Sequence, residues 1–105
     1  MKKFSLSALL LLFLGVAACG PVVGGLRIVD ANIALSAAET AGAKSQAVYE
    51  YTAATEYLNK AREEHAYSDF AAARRYAEKA YYYALEARKK AEMATRVRLA
   101  PTPVE

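Results

Sequence analysis

Ala73-Arg74-Arg75-Tyr76-Ala77-Glu78-Lys79-Ala80-Tyr81-Tyr82-Tyr83-Ala84-Leu85-Glu86-Ala87 is the stretch that decides the fold of this 105-residue chain. Ala73, Ala77, Ala80, Ala84, Ala87, Ala91 and Ala94 recur in steps of four and three without exception. That spacing keeps them on one face of a helix, and a seam of this period belongs to a helix packed lengthwise against another. Small side chains at every seam position let the two axes approach to the near end of the usual range of about 8–10 Å. Tyr76, Tyr81 and Tyr83 fall beside the seam and can close over it, whereas Arg75, Tyr82, Lys89 and Arg96 fall opposite. Ser68-Asp69 just upstream offers a turn and an N-cap.

Working outward, Ala47, Tyr51, Ala54, Leu58, Ala61 and His65 define a second helix that ends near Ala66-Tyr67 and pairs antiparallel with the third. Further upstream Ile28, Ala31, Leu35, Ala38 and Gly42 define a first helix over roughly Arg27 to Ala41, its apolar face widened by Val29, Ile33 and Ala37. The two patterns are out of register. A break is therefore expected near Gly42 to Gln46, with Gly42 as terminator and Ser45 as the next N-cap; one continuous kinked helix is the alternative. Pairs at four-residue spacing, Glu56-Lys60, Glu86-Lys90 and Glu92-Arg96, support the two later helices. The fold class is all-α: an Ala/Tyr-rich antiparallel helical hairpin with a shorter preceding helix, residues 27–99. Gly20 to Gly25, with Pro21, lacks a helical period, so residues 19–26 read as a tether. Residues 100–105, with Pro101 and Pro103, read as a flexible tail.

Ahead of this domain stand Lys2 and Lys3, an apolar run from Phe4 to Leu14, and the small residues Gly15-Val16-Ala17-Ala18 before Cys19. Basic n-region, apolar h-region and small residues before a cut make residues 1–18 an export signal, too short to span a bilayer as a helix. Val16-Ala17-Ala18-Cys19 resembles the lipobox of bacterial lipoproteins. The resemblance implies cleavage between Ala18 and Cys19 and diacylglyceryl transfer to the Cys19 thiol. Cys19 is the one cysteine of the chain, and lipidation removes the puzzle of a lone thiol in an exported protein. By the same resemblance Gly20, where Asp would retain the protein in the inner membrane, implies the outer membrane, lipid-anchored, on the periplasmic face. Several acyl chains on one residue hold firmly where a single chain holds reversibly.

Loss of the signal takes Lys2 and Lys3 from the 14 basic residues, leaving 12 against 11 acidic ones and a net charge of +1. The basic precursor is therefore no pointer to nucleic acid. Alanine makes up 21 of the residues from Cys19 onward and tyrosine 8, with no tryptophan. Such a composition favours helix but limits the core, because alanine buries little apolar area in a domain already short of it. Tyrosines, a partner or self-association must supply the rest.

No catalytic set stands out, and no enzyme activity, cofactor or metal is expected. His65 is the single histidine; Glu63 and Glu64 do not share its helix face, so it reads as a helix-end residue. Glu63-Glu64 lack the apolar pocket that raises a catalytic acid. Basic residues concentrate late: Cys19 to Ala73 holds 4 basic and 7 acidic residues, Arg74 to Arg98 holds 8 and 3. An acidic second helix complementing a basic third is the favoured reading over contact with anionic polymers or headgroups. Tyr81-Tyr82-Tyr83 circle the helix and cannot all meet one neighbour. Tyr76, Tyr81, Tyr82, Tyr83 and Leu85 are thus the candidate interaction face, since tyrosine pairs apolar area with a polar tip; coverage by the first helix is the alternative.

Residues Tyr57 to Ala80 resemble a tetratricopeptide-type hairpin, with Ala61, then Ser68-Asp69-Phe70 at the turn, then Ala73, Tyr76 and Ala80. Tyr49-Glu50-Tyr51 to Tyr57-Leu58, followed by Tyr76-Ala77-Glu78-Lys79-Ala80, is similar to small envelope lipoproteins with a helical domain of unknown function that in relatives precedes an OmpA-like peptidoglycan-binding module. The implied role is a lipid-anchored module that binds or positions an envelope protein or a peptidoglycan-associated partner. The alternative is a self-assembling coiled-coil lipoprotein spacing the outer membrane from the cell wall.

Overall fold

A computed structural model describes residue 11 and residues 19–103. The export signal, with the Ala18 side of the expected cut, lies outside the described residues apart from Leu11, as do Val104 and Glu105. Helix α1 spans Cys19–Thr40, a single turn α2 spans Ala43–Gln46, α3 spans Val48–Ala66 and α4 spans Phe70–Leu99. The described residues contain no strand, and the fold is all-α.

Three layers of side chains fix the topology. Ala31 packs with Leu58 and Ala80; Ala34 packs with Ala54 and Ala84; Ala38 packs with Ala43, Ala47, Ala87 and Ala91. Numbers rise together in α1 and α4 and fall in α3, so α1 and α4 are parallel and α3 runs antiparallel to both. The seam of α4 lies at the centre: Ala73, Ala77, Ala80, Ala84, Ala87 and Ala91 are all buried. Ala94, last in the periodic series, is only half-buried because α4 there outruns its neighbours. Every buried apolar side chain among the described residues except Leu58 is an alanine. Cohesion therefore comes from close approach of backbones, and the large side chains are left outside or at the rims.

The helix ends follow sequence chemistry in part. Gly42 takes φ 90°, the left-handed conformation in which glycine carries no Cβ penalty, and α1 stops there. The first and later helices are thus separate, joined through α2. Ser45 is not the N-cap of α3: its hydroxyl donates to the Gly42 carbonyl at 3.3 Å inside α2, and Ala47, at φ −142° and ψ 55°, opens α3 without a side-chain cap. Asp69 does cap α4, accepting from the Ala72 N–H at 3.0 Å.

The segment expected as a tether is helical. α1 is 22 residues long, longer than the 19 of α3 and shorter than the 30 of α4, so it precedes the hairpin as a full-length partner. Glycine in a helix interior costs about 1 kcal/mol relative to alanine, which argues for a tether when the sequence is read locally. Tertiary contact reverses that preference. Gly24 is buried against the α3–α4 turn, where a Cβ would sit 3.4 Å from His65 Cδ2 and 3.6 Å from the Phe70 carbonyl.

Candidate functional site

The candidate residues of α4 divide between two surfaces. On the α3 side, Tyr57 lies between Tyr76 and Tyr83, its ring stacked at 6.2 Å and 23° on the first and at 5.6 Å and 12° on the second. Tyr83 also meets Tyr49 edge-on at 6.2 Å and Tyr82 at 5.4 Å. Lys79 Nζ stands 5.4 Å from the Tyr57 ring centroid, within cation–π range. The row arises because Tyr76 and Tyr83 are two turns apart on one edge of α4, while Tyr49 and Tyr57 flank the facing edge of α3. Tyr57, Tyr76 and Tyr83 are half-buried in sealing the hairpin; Tyr49 and Tyr82 are 69% and 59% exposed.

On the α1 side, Tyr81 and Leu85 reach the edge of a groove of about 470 Å³ between α1 and α4. Ala34 and Ala77 form part of its floor, Ile33 stands opposite, and Arg27, Asp30, Glu78 and Arg88 lie around the rim. The first helix therefore approaches Leu85 and Tyr81 without covering them, and each remains 42% exposed. Tyr82 meets neither flank squarely and points outward beside Tyr83. The five residues grouped as one interaction face thus separate: Tyr76 and Tyr83 lie with α3, Tyr81 and Leu85 with α1, and Tyr82 projects outward beside Tyr83.

Charge is organised more locally than the sequence suggests. Lys60 pairs with Glu64 at 3.0 Å and Glu63 at 3.4 Å, downstream in its own helix, in place of Glu56. Lys90 crosses to Glu50 on α3 at 3.1 Å instead of meeting Glu86, and Glu92 takes Arg88 at 2.8 Å instead of Arg96. Glu50–Lys90 is the one ion pair between α3 and α4 among the described residues, so the acidic and basic helices complement each other at a single point. Backbone hydrogen bonding at the start of α3, then the Lys90 contact, holds the Glu50 carboxyl below its ordinary value. The hydrogen bond from Lys60 to Glu64 raises the Lys60 ammonium, and hydrogen-bonding contact with Tyr49 raises the Tyr83 phenol.

His65 has a structural position that the sequence reading did not include. Its Nε2 lies 3.3 Å from the Pro21 carbonyl, a distance at which an Nε2–H donates to that oxygen, and its ring meets Phe70 edge-on at 5.2 Å. It joins α1, at Pro21, to the α3–α4 turn. The signal available was the pair Gly20 and Gly24, one helical turn apart, which marks a close approach; reading them as tether glycines hid it. Among the described residues no group of three His, Cys, Asp or Glu side chains is placed to hold a metal ion.

A family model described as Domain of unknown function (DUF4398) matches residues 27–98. No curated protein and no solved structure matches the chain.

Proposed function

The chain belongs to the family described as Domain of unknown function (DUF4398), and from that premise we propose that it is a non-enzymatic helical module, lipid-anchored through Cys19 at the periplasmic face of the outer membrane, that holds another envelope component against the tyrosine row of α3 and α4. Cleavage between Ala18 and Cys19 frees the residue that carries the lipid. The partner is an envelope protein or a peptidoglycan-associated component.

The observation that carries this reading is the inversion of side-chain size across the fold. Alanines do nearly all the internal packing, while Tyr49 and Tyr82 project from a row of touching rings into solvent. Tyrosine rings braced by one another offer contact area at low entropic cost, and Lys79 supplies a neighbouring cation. The envelope address is supported by the order of residues 2–19.

A photocrosslinking residue at Tyr82 in intact cells, with and without Tyr49→Ala, tests the role. Capture of a second envelope component, reduced about tenfold by Tyr49→Ala at unchanged melting temperature, is expected for contact residues at an interface. Capture unaffected by Tyr49→Ala, or a loss of melting temperature that accounts for the loss of capture, contradicts it.

A further inference from the structure

We propose that the outward face of α1 lies in the surface of a lipid bilayer, with Val22, Leu26, Val29 and Ile33 seated among the upper parts of the acyl chains. The inference rests on the membrane attachment proposed above and goes beyond it, from a chain held by its first residue to a helix laid along the surface.

These four residues step by four, three and four, so they form one stripe, and at 100° per residue that stripe is opposite Ala31 and Ala38, which face the core. All four are more than half exposed. α1 is apolar enough in length and composition to cross a membrane, yet only 22% of its most apolar window is buried in the fold. It does not cross: its inner face is occupied by α3 and α4, and a spanning position would strip that face of its partners. A helix with one face packed on protein and the other apolar and unpartnered suits the boundary between bilayer and water.

Location selects lipid as the occupant. The stripe begins three residues after Cys19, about 4.5 Å along the helix, and extends about 16 Å to Ile33. Phe4 to Leu14 precede it in the sequence. Acyl chains on Cys19 and a retained apolar leader alike bring the first turn of α1 to a bilayer. Charge does not oppose the contact. Arg27 and Asp30 pair at 3.7 Å, and no charged residue falls within the stripe. Ile33 continues the apolar surface into the groove edged by Tyr81 and Leu85, whose lining also includes the cations Arg27 and Arg88.

The test uses the full chain carrying its own anchor, reconstituted in phosphatidylethanolamine–phosphatidylglycerol vesicles, with a nitroxide spin label at Leu26→Cys, Ile33→Cys or, on the outer side of α3, Asn59→Cys. Cys19, held as a thioether, leaves each introduced thiol as the labelling site. Because these positions are exposed, helicity should be unchanged. The expected result is a ratio of collisions with oxygen to collisions with an aqueous nickel chelate about tenfold higher at Leu26 and Ile33 than at Asn59, insensitive to salt because apolar burial drives it. A chain that stays on the vesicles with all three labels equally open to nickel overturns the inference and leaves the anchor standing. Labels shielded from both reagents and broadened by a neighbouring label overturn it in favour of a second copy of the chain. A chain that washes off the vesicles overturns the anchor and the inference together.

Discussion

The two flanks of α4 are built on one alanine seam and finished differently. Towards α3, Tyr57, Tyr76 and Tyr83 close over the alanines in a stacked row, and Leu58 fills the layer beneath. Towards α1, the backbone approaches over Ala34 and Ala38, yet Ile33, Tyr81 and Leu85 part to leave a groove. Backbone proximity and side-chain closure are separate properties. Alanine secures the first on both flanks, and aromatic side chains supply the second on one.

Truncation should break this asymmetry most strongly on the sealed flank. Leu58→Ala removes the largest fully buried side chain, and chemical denaturation should show a loss of about 3 kcal/mol, the middle of the range for a core leucine. Ala84→Leu forces a large side chain into the layer shared by all three long helices. Its expected cost is about 2 kcal/mol by the same measurement, with helicity retained. Tyr57→Ala removes both stacked pairs and should cost about 1.5 kcal/mol, whereas Tyr81→Ala, at the open groove, should stay within about 0.5 kcal/mol. Equal losses for these two would erase the difference between the flanks.

The smallest effect concerns pH. Glu50 has a lowered pKa, so its contribution to stability is complete above its ordinary value of 4.5 and disappears as pH falls through the lower folded value. Glu50→Gln should lower the melting temperature slightly at neutral pH and leave it unchanged at acid pH, so that the acid limb flattens; the step is small because the Lys90 pair is solvent-screened. An unchanged acid limb would remove Glu50–Lys90 as a link between α3 and α4.

The seam, the Asp69 cap, the Gly42 stop and the three long helices were legible in the sequence because each rests on local period or local cap chemistry. The start of α1 was not. Gly20, Pro21, Gly24 and Gly25 oppose helix locally, and only the approach of His65 and Phe70, some 40 residues away in sequence, makes their small size useful. Salt-bridge partners were misassigned for a related reason: four-residue spacing permits Glu86–Lys90, but Glu50 on the neighbouring helix reaches Lys90 as well. For the tyrosines, the sequence showed that three in succession cannot share a neighbour. It did not show that Tyr83 would turn to α3 and Tyr81 to α1, which depends on how far α1 rotates about the seam.

Both proposed roles, contact through the tyrosine row and seating of α1 in lipid, depend on the chain being held at a membrane through Cys19. Mass spectrometry of the N-terminal peptide of the native protein, isolated from whole cells, measures this directly. The account predicts a peptide that begins at Cys19 and carries a diacylglyceryl thioether. A free Cys19 thiol, or a mature chain that begins at another residue, would contradict it.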